Sequence, residues 1–188
     1  METELTLRFI LESVTSNETY KIGVAWGKPR HGHPEATIAE HIRELEENLE
    51  QMKWRFSSEE ICKLKILIHV HDTLKVHALP RVPIEHPRSH ASLAAEYLAE
   101  FTEDQGLIDM VRYHDENFAL FRQYEEKGRF DEARLKRLIS RISDWRLFLS
   151  FNIIDSCTKG KDRKSILWFL REMKDRVDSG VNETWIPR

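Results

Sequence analysis

Apolar residues recur three and four positions apart along most of this chain, and that spacing restricts it to packed helices. Ile38, Ile42, Leu45, Leu49 and Met52 form one such stripe within residues 35–55, with charged residues on the opposite face. Seven glycines and six prolines in 188 residues leave few places for the turns an all-β chain needs, and β-branched alternation is rare. The predicted class is all-α.

The same pattern sets out the individual helices. Ser57 and Glu60 have the spacing of a capping box. They open a helix that runs through Ile61, Leu64 and Ile68 and reaches His71 and Asp72 as its last core-facing turn. Three prolines in HALPRVPIEHP, residues 77–87, require an irregular connection there. Helices are then expected over residues 88–102, 105–116, 131–157 and 163–178. Tyr20, Ile22, Val24 and Trp26 alternate, which suggests a short extended arm before Pro34. The charged stretch Glu125 to Arg137 reads as a solvated turn and helix start. No repeat or low-complexity linker divides the chain, and its length suits one core.

Composition narrows the function classes. A formal charge of -3, from 29 basic and 32 acidic residues, gives no basic excess to suggest a nucleic-acid footprint over the whole protein. Cys62 and Cys157 lie far apart and outside any CxxC spacing, so neither a disulfide framework nor a zinc ribbon is indicated. A reducing, cytoplasmic setting is expected. The start METELTLRFILESV lacks the continuous apolar run of a secretory signal, and no stretch approaches the roughly 20 apolar residues of a membrane span. A soluble protein is therefore expected.

Against this background HVHDTLKV, residues 69–76, is anomalous, because it places ionisable neighbours at the end of an apolar run. Burying a charge without a partner costs several kcal/mol or forces the group to neutralise. The chain has nine histidines, and His41, His71, Asp72, His90, His114 and Asp155 fall near the apolar faces of five predicted helices. A single histidine on such a face is more often a hydrogen-bonded core residue than a ligand. Six imidazoles and carboxylates aimed at one interior are more simply explained by metal binding, since these donors suit divalent first-row ions. His31, His33, His69, His77 and His86 are expected to be surface, loop or supporting groups, with His86 close enough to His90 to exchange roles with it. Leu45, Leu49, Leu64 and Ile68 read simply as core.

The order of these motifs resembles the HD-domain superfamily of metal-dependent phosphohydrolases. AEHI supplies His41, LIHVHDTLK supplies His71, Asp72 and Lys75, SHASLAAEYL supplies His90, MVRYHD supplies His114 and NIIDSCTKG supplies Asp155. Leu74 stands where many members have glycine, so the turn after the His-Asp pair is expected to differ. The chain also resembles, as a stand-alone domain, the HD portion attached to CCA-adding enzymes, without their nucleotidyltransferase signature. HDTLK is unlike the HD-x-x-E-D pattern of alarmone hydrolases.

The resemblance implies a single-domain helical bundle. Residues 1–34 would form an N-terminal helix and arm, 35–160 the HD domain, and 161–188 a C-terminal helix and tail of the same domain. It also implies a dinuclear site for two divalent ions, which can be manganese, iron, nickel, cobalt or magnesium. Asp72 would bridge, with His41, His71 and Asp155 on one ion and His90 and His114 on the other. The implied activity is hydrolysis of a small phosphate mono- or diester, a nucleotide or related metabolite. Lys75 would meet the substrate phosphate or position the nucleophile, against a plainer reading as a solvated helix end. Arg81, Arg88, Arg112, Lys159 and Lys161 can each recognise phosphate, although surface solvation is the expected role. Two other readings share the ligand order: a di-iron oxygenase of the same fold, and a non-catalytic nucleotide-binding HD domain.

Overall fold

The computed structural model describes residues 2–29 and 36–187, and its regular structure is helical throughout. The helices are α1 (Glu2–Ser16), α2 (Glu18–Val24), α3 (Ile38–Met52), α4 (Ser58–Val70), α5 (His90–Ala99), α6 (Gln105–Arg112), α7 (Glu116–Lys127), α8 (Glu132–Arg141), α9 (Trp145–Ser156) and α10 (Lys164–Met173). Short 3-10 turns follow α3 and α4, and a third covers Glu183–Trp185. No described helix is long and apolar enough to cross a membrane.

Two helices make the centre. In α4, Leu64, Ile66, Leu67, Ile68 and Val70 are all fully buried. From Leu147 to Ser156 every residue of α9 is buried, including Asn152 and Asp155. A helix apolar on all sides needs neighbours on all sides. α9 has them in α3, α4 and α10, while α4 is also covered by α1. α5 lies against α6, and α7 against α10. One hydrophobic core results.

Helix starts follow local chemistry. Thr37 with Glu40, and Ser57 with Glu60, form full capping boxes. Ser89, Asp104, Asp131 and Asp144 accept backbone N–H groups at the starts of α5, α6, α8 and α9. The Asp144 cap explains one departure from expectation: residues 131–157 are two helices, because Ile142 turns extended and Asp144 nucleates a new one.

The expected arm at Tyr20–Trp26 is also corrected, since residues 18–24 are the helix α2, started by the Asn17 side chain. Gly23 brings α2 against the turn after α4, where a Cβ would lie 2.1 Å from the Thr73 carbonyl oxygen. That contact packs α2 against the turn that carries the His-Asp pair. α7 was not expected: α6 ends at Arg112, and α7 starts at Glu116, the last residue of the expected helix 105–116, and runs into the charged stretch from Glu125. His31, His33 and Pro34 lie outside the described residues.

Candidate metal centre

α4 ends at Val70, so the His-Asp pair lies just beyond it rather than on its last turn. His71 is the cap residue, and Asp72 opens a 3-10 turn over Thr73–His77. Leu74 is buried within that turn, and Arg81 is the only non-glycine with positive φ among the described residues, so the turn needs no glycine. His41 comes from α3, His90 is the first residue of α5, and Asp155 is near the end of α9. His114 follows α6 on the turn into α7, not on a helix as expected.

These six residues, from five parts of the chain, converge as two groups that can hold a metal ion. His41, His71 and Asp155 form one, and Asp72, His90 and His114 the other. Within each, the donor atoms lie within 4.8 Å of one another. Bonds of about 2.1 Å put the donors of one ion roughly 3 to 4 Å apart, so the spacing can be checked pair by pair. His41 Nε2 is 3.0 Å and His71 Nε2 4.0 Å from Asp155 Oδ1. His90 Nε2 and His114 Nε2 are 3.7 and 3.6 Å from Asp72 Oδ1, and 3.2 Å from each other. The spacing fits.

Tautomer evidence points the same way. His71 Nδ1 lies 3.0 Å from the Ile68 carbonyl oxygen and His114 Nδ1 2.7 Å from that of Val111. A carbonyl only accepts, so each Nδ1 carries a proton and each ring turns its Nε2 toward the other donors. His71 Nε2 and Asp72 Oδ1 are buried without a hydrogen-bond partner among the described residues. His90 Nε2 and His114 Nε2 lie 3.2 Å apart, the separation of two donors that can share one ion. Divalent-ion donors explain these otherwise costly atoms.

Electrostatics set the resting charges. Burial alone would raise the Asp72 carboxyl, but Lys75 and His71 hold it well below the usual carboxylate range. Asp155 is likewise lowered against its burial, by Lys161 and His41. Burial keeps the His71 imidazole below its ordinary value despite Asp72. For His114, burial is outweighed by Asp115 and Asp72, and its value rises.

Several residues differ from their sequence-based reading. Lys75 is mostly buried and paired with Asp72 Oδ2, so it is not a solvated helix end. Lys161 is also mostly buried, 2.8 Å from Asp155 Oδ1 and 3.1 Å from the Asp155 carbonyl oxygen, which corrects its expected surface role. Arg81, Arg88 and Lys159 are exposed, and Arg112 donates to Ser92 Oγ at 3.3 Å. His77 is exposed, and His86 accepts the Arg88 N–H at 3.0 Å and belongs to neither donor group. His69 sits between Tyr20 Oη at 2.6 Å and Glu46 at 3.3 Å, a structural position.

Asp115 was missed. Its carboxylate is 3.1 Å from His90 Nε2 and 3.7 Å from His114 Nε2, and His114, His90 and Lys75 overcome burial to lower its pKa. The only signal in the sequence was a second His-Asp dipeptide, at 114–115. Arg122, Phe118 and Phe121 line the space in front of the donors and were also missed, because α7 was not anticipated. Comparison with family models, with curated proteins and with solved structures gave no match.

Proposed function

We propose that the chain is a metal-dependent phosphohydrolase acting on a phosphate mono- or diester, a nucleotide or related metabolite, at a dinuclear site. The observation that carries this reading is the disposition of Asp72. Its Oδ1 faces His90 and His114, and its Oδ2 lies 3.5 Å from His71 Nε2, so one carboxylate is presented to both donor groups. His41, His71 and Asp155 would hold one ion; His90 and His114 would hold the other, with Asp115 as a further oxygen donor on its open side.

Paired divalent ions supply Lewis acidity toward phosphoryl oxygens and make hydroxide accessible near neutral pH. The chain's own groups do the rest. Lys75 keeps Asp72 ionised, and Lys161 does the same for Asp155. Arg122 makes no ion pair among the described residues and lines the same cavity, which leaves its guanidinium fork for phosphate oxygens. Phe118 and Phe121 narrow the water-accessible space beside the donors.

The test is turnover of chromogenic phosphate esters by protein loaded with manganese, nickel, cobalt, iron or magnesium, run with and without O₂. Hydrolysis that persists anaerobically and disappears in Asp72→Ala supports the proposal. A reaction that stops without O₂ would replace it with the oxygenase reading, and no turnover under any metal would sink it.

A further inference from the structure

The donor residues do not all face the same space. His71, Asp72, His114 and Asp155 line a cavity of about 590 Å³ that Phe118 and Phe121 also line. His90 lines a second cavity of about 860 Å³, walled by Trp26, Leu79 and Pro83. Lys75, Asp115 and Arg122 line both and mark the waist between them.

We propose that the two cavities seat the two organic substituents of a phosphodiester, with its phosphate at the waist, an inference that rests on the hydrolytic reading above. A monoester has one substituent and leaves one of the two compartments without an occupant. Each compartment offers aromatic or aliphatic surface among its charged residues: Phe118 and Phe121 in one, Trp26, Leu79 and Pro83 in the other. Trp26 and Leu79 are large apolar side chains left 38% and 37% exposed on one side. Phe118, stacked near Lys161 Nζ at 5.5 Å, faces the other.

The wall carrying Leu79 is preformed. Leu79 N–H donates to the Arg88 carbonyl at 2.9 Å, and Ser89 Oγ and Ser92 Oγ both donate to the Ile84 carbonyl, at 2.6 and 3.1 Å. A hydrogen-bonded loop beside the donor groups offers a binding surface as well as a connection.

Charge agrees. Lys75 and Lys161 are each tied to a carboxylate, so Arg122 is the cation at the waist without an ion pair among the described residues. A diester presents one negative charge on two non-bridging oxygens, which suits a single guanidinium fork. In the reaction one water is consumed. Its oxygen bonds to phosphorus, the bond to one substituent's oxygen breaks, and that oxygen leaves with a proton, giving a monoester and an alcohol.

The experiment pairs binding with turnover. Calorimetric titration with diphenyl phosphate and phenyl phosphate reads the cleft, and hydrolysis of the bis- and mono-p-nitrophenyl esters reads the chemistry. Diphenyl phosphate should bind about tenfold tighter, and Trp26→Ala and Phe118→Ala should each erase most of that ratio. Phe118→Leu, which keeps the packing volume closer, guards against a folding defect and should show a smaller loss. Equal binding of the two phosphates, or variants that weaken both alike, overturns the inference. Preferential binding of diphenyl phosphate with no hydrolysis of either ester overturns the hydrolytic reading instead.

Discussion

The two donor groups are built from similar residues but sit in different surroundings. His41, His71 and Asp155 are all buried, whereas the His90 and Asp115 side chains are 22% and 34% exposed and border the larger cavity. Around the closed group, Asn48 Nδ2 donates to the Ile154 carbonyl at 2.9 Å, and Glu44 accepts the Lys159 N–H at 3.0 Å. Both contacts fasten α3 to the end of α9. The open group instead depends on the turn between α6 and α7, held by Glu116, whose buried carboxylate takes two bonds from Arg134 at 2.6 and 2.9 Å. A closed, braced group suits a resident ion. An open one suits an ion that meets substrate and exchanges.

The largest expected effect falls on Asp72, the residue proposed to bridge the two groups. Asp72→Ala should lower affinity for both ions by about 100-fold or more and abolish turnover, read by elemental analysis of protein whose circular dichroism is unchanged. His90→Ala should be more selective, releasing one ion and leaving the other at wild-type affinity. If His90→Ala released both, the division into two groups would fail. Asp115→Asn is expected to weaken only the open site, by about 10-fold, in a competition titration against a chelator.

Stability separates the groups in another way. Without metal, Lys161→Met leaves the buried Asp155 carboxylate short of a partner and should destabilise by about 3 kcal/mol in a denaturant titration. Saturating metal should restore part of that loss, because a cation again faces Asp155. A loss that metal does not reduce would argue against Asp155 as a ligand.

The smallest effect serves as a control far from both groups. Tyr97 Oη donates to the Val14 carbonyl at 3.1 Å, tying α5 to α1, and burial with the nearby Glu100 pushes its pKa up to about 12. Only the neutral phenol is favoured in the fold. Its contribution is therefore fully present below the ordinary value of 10.0 and is lost as pH rises through about 12. Tyr97→Phe should remove this alkaline step without changing metal content, checked by absorbance titration and elemental analysis.

Much of this was legible in the sequence, for a physical reason. Helical periodicity and capping boxes are local, so α3 and α4 emerged near their true limits, while α10 ends at Met173, short of the expected 178, and the apolar faces marked the six donors. Asp115 and His114 lie on a turn whose position depends on α7. That helix buries Glu116, Asn117 and Leu120 but carries so many charged residues that its stripe is weak. Lys161 looks like a surface lysine by composition, and only the fold brings it against Asp155. The partners of buried charges are long-range facts.

The central claim is that Asp72 joins two ion sites. Calorimetric titration of metal-free protein with manganese tests it most directly. The account predicts two binding events per chain with unequal affinity, both lost in Asp72→Ala. A single event or none in the wild-type chain, or two undiminished events in Asp72→Ala, would contradict it.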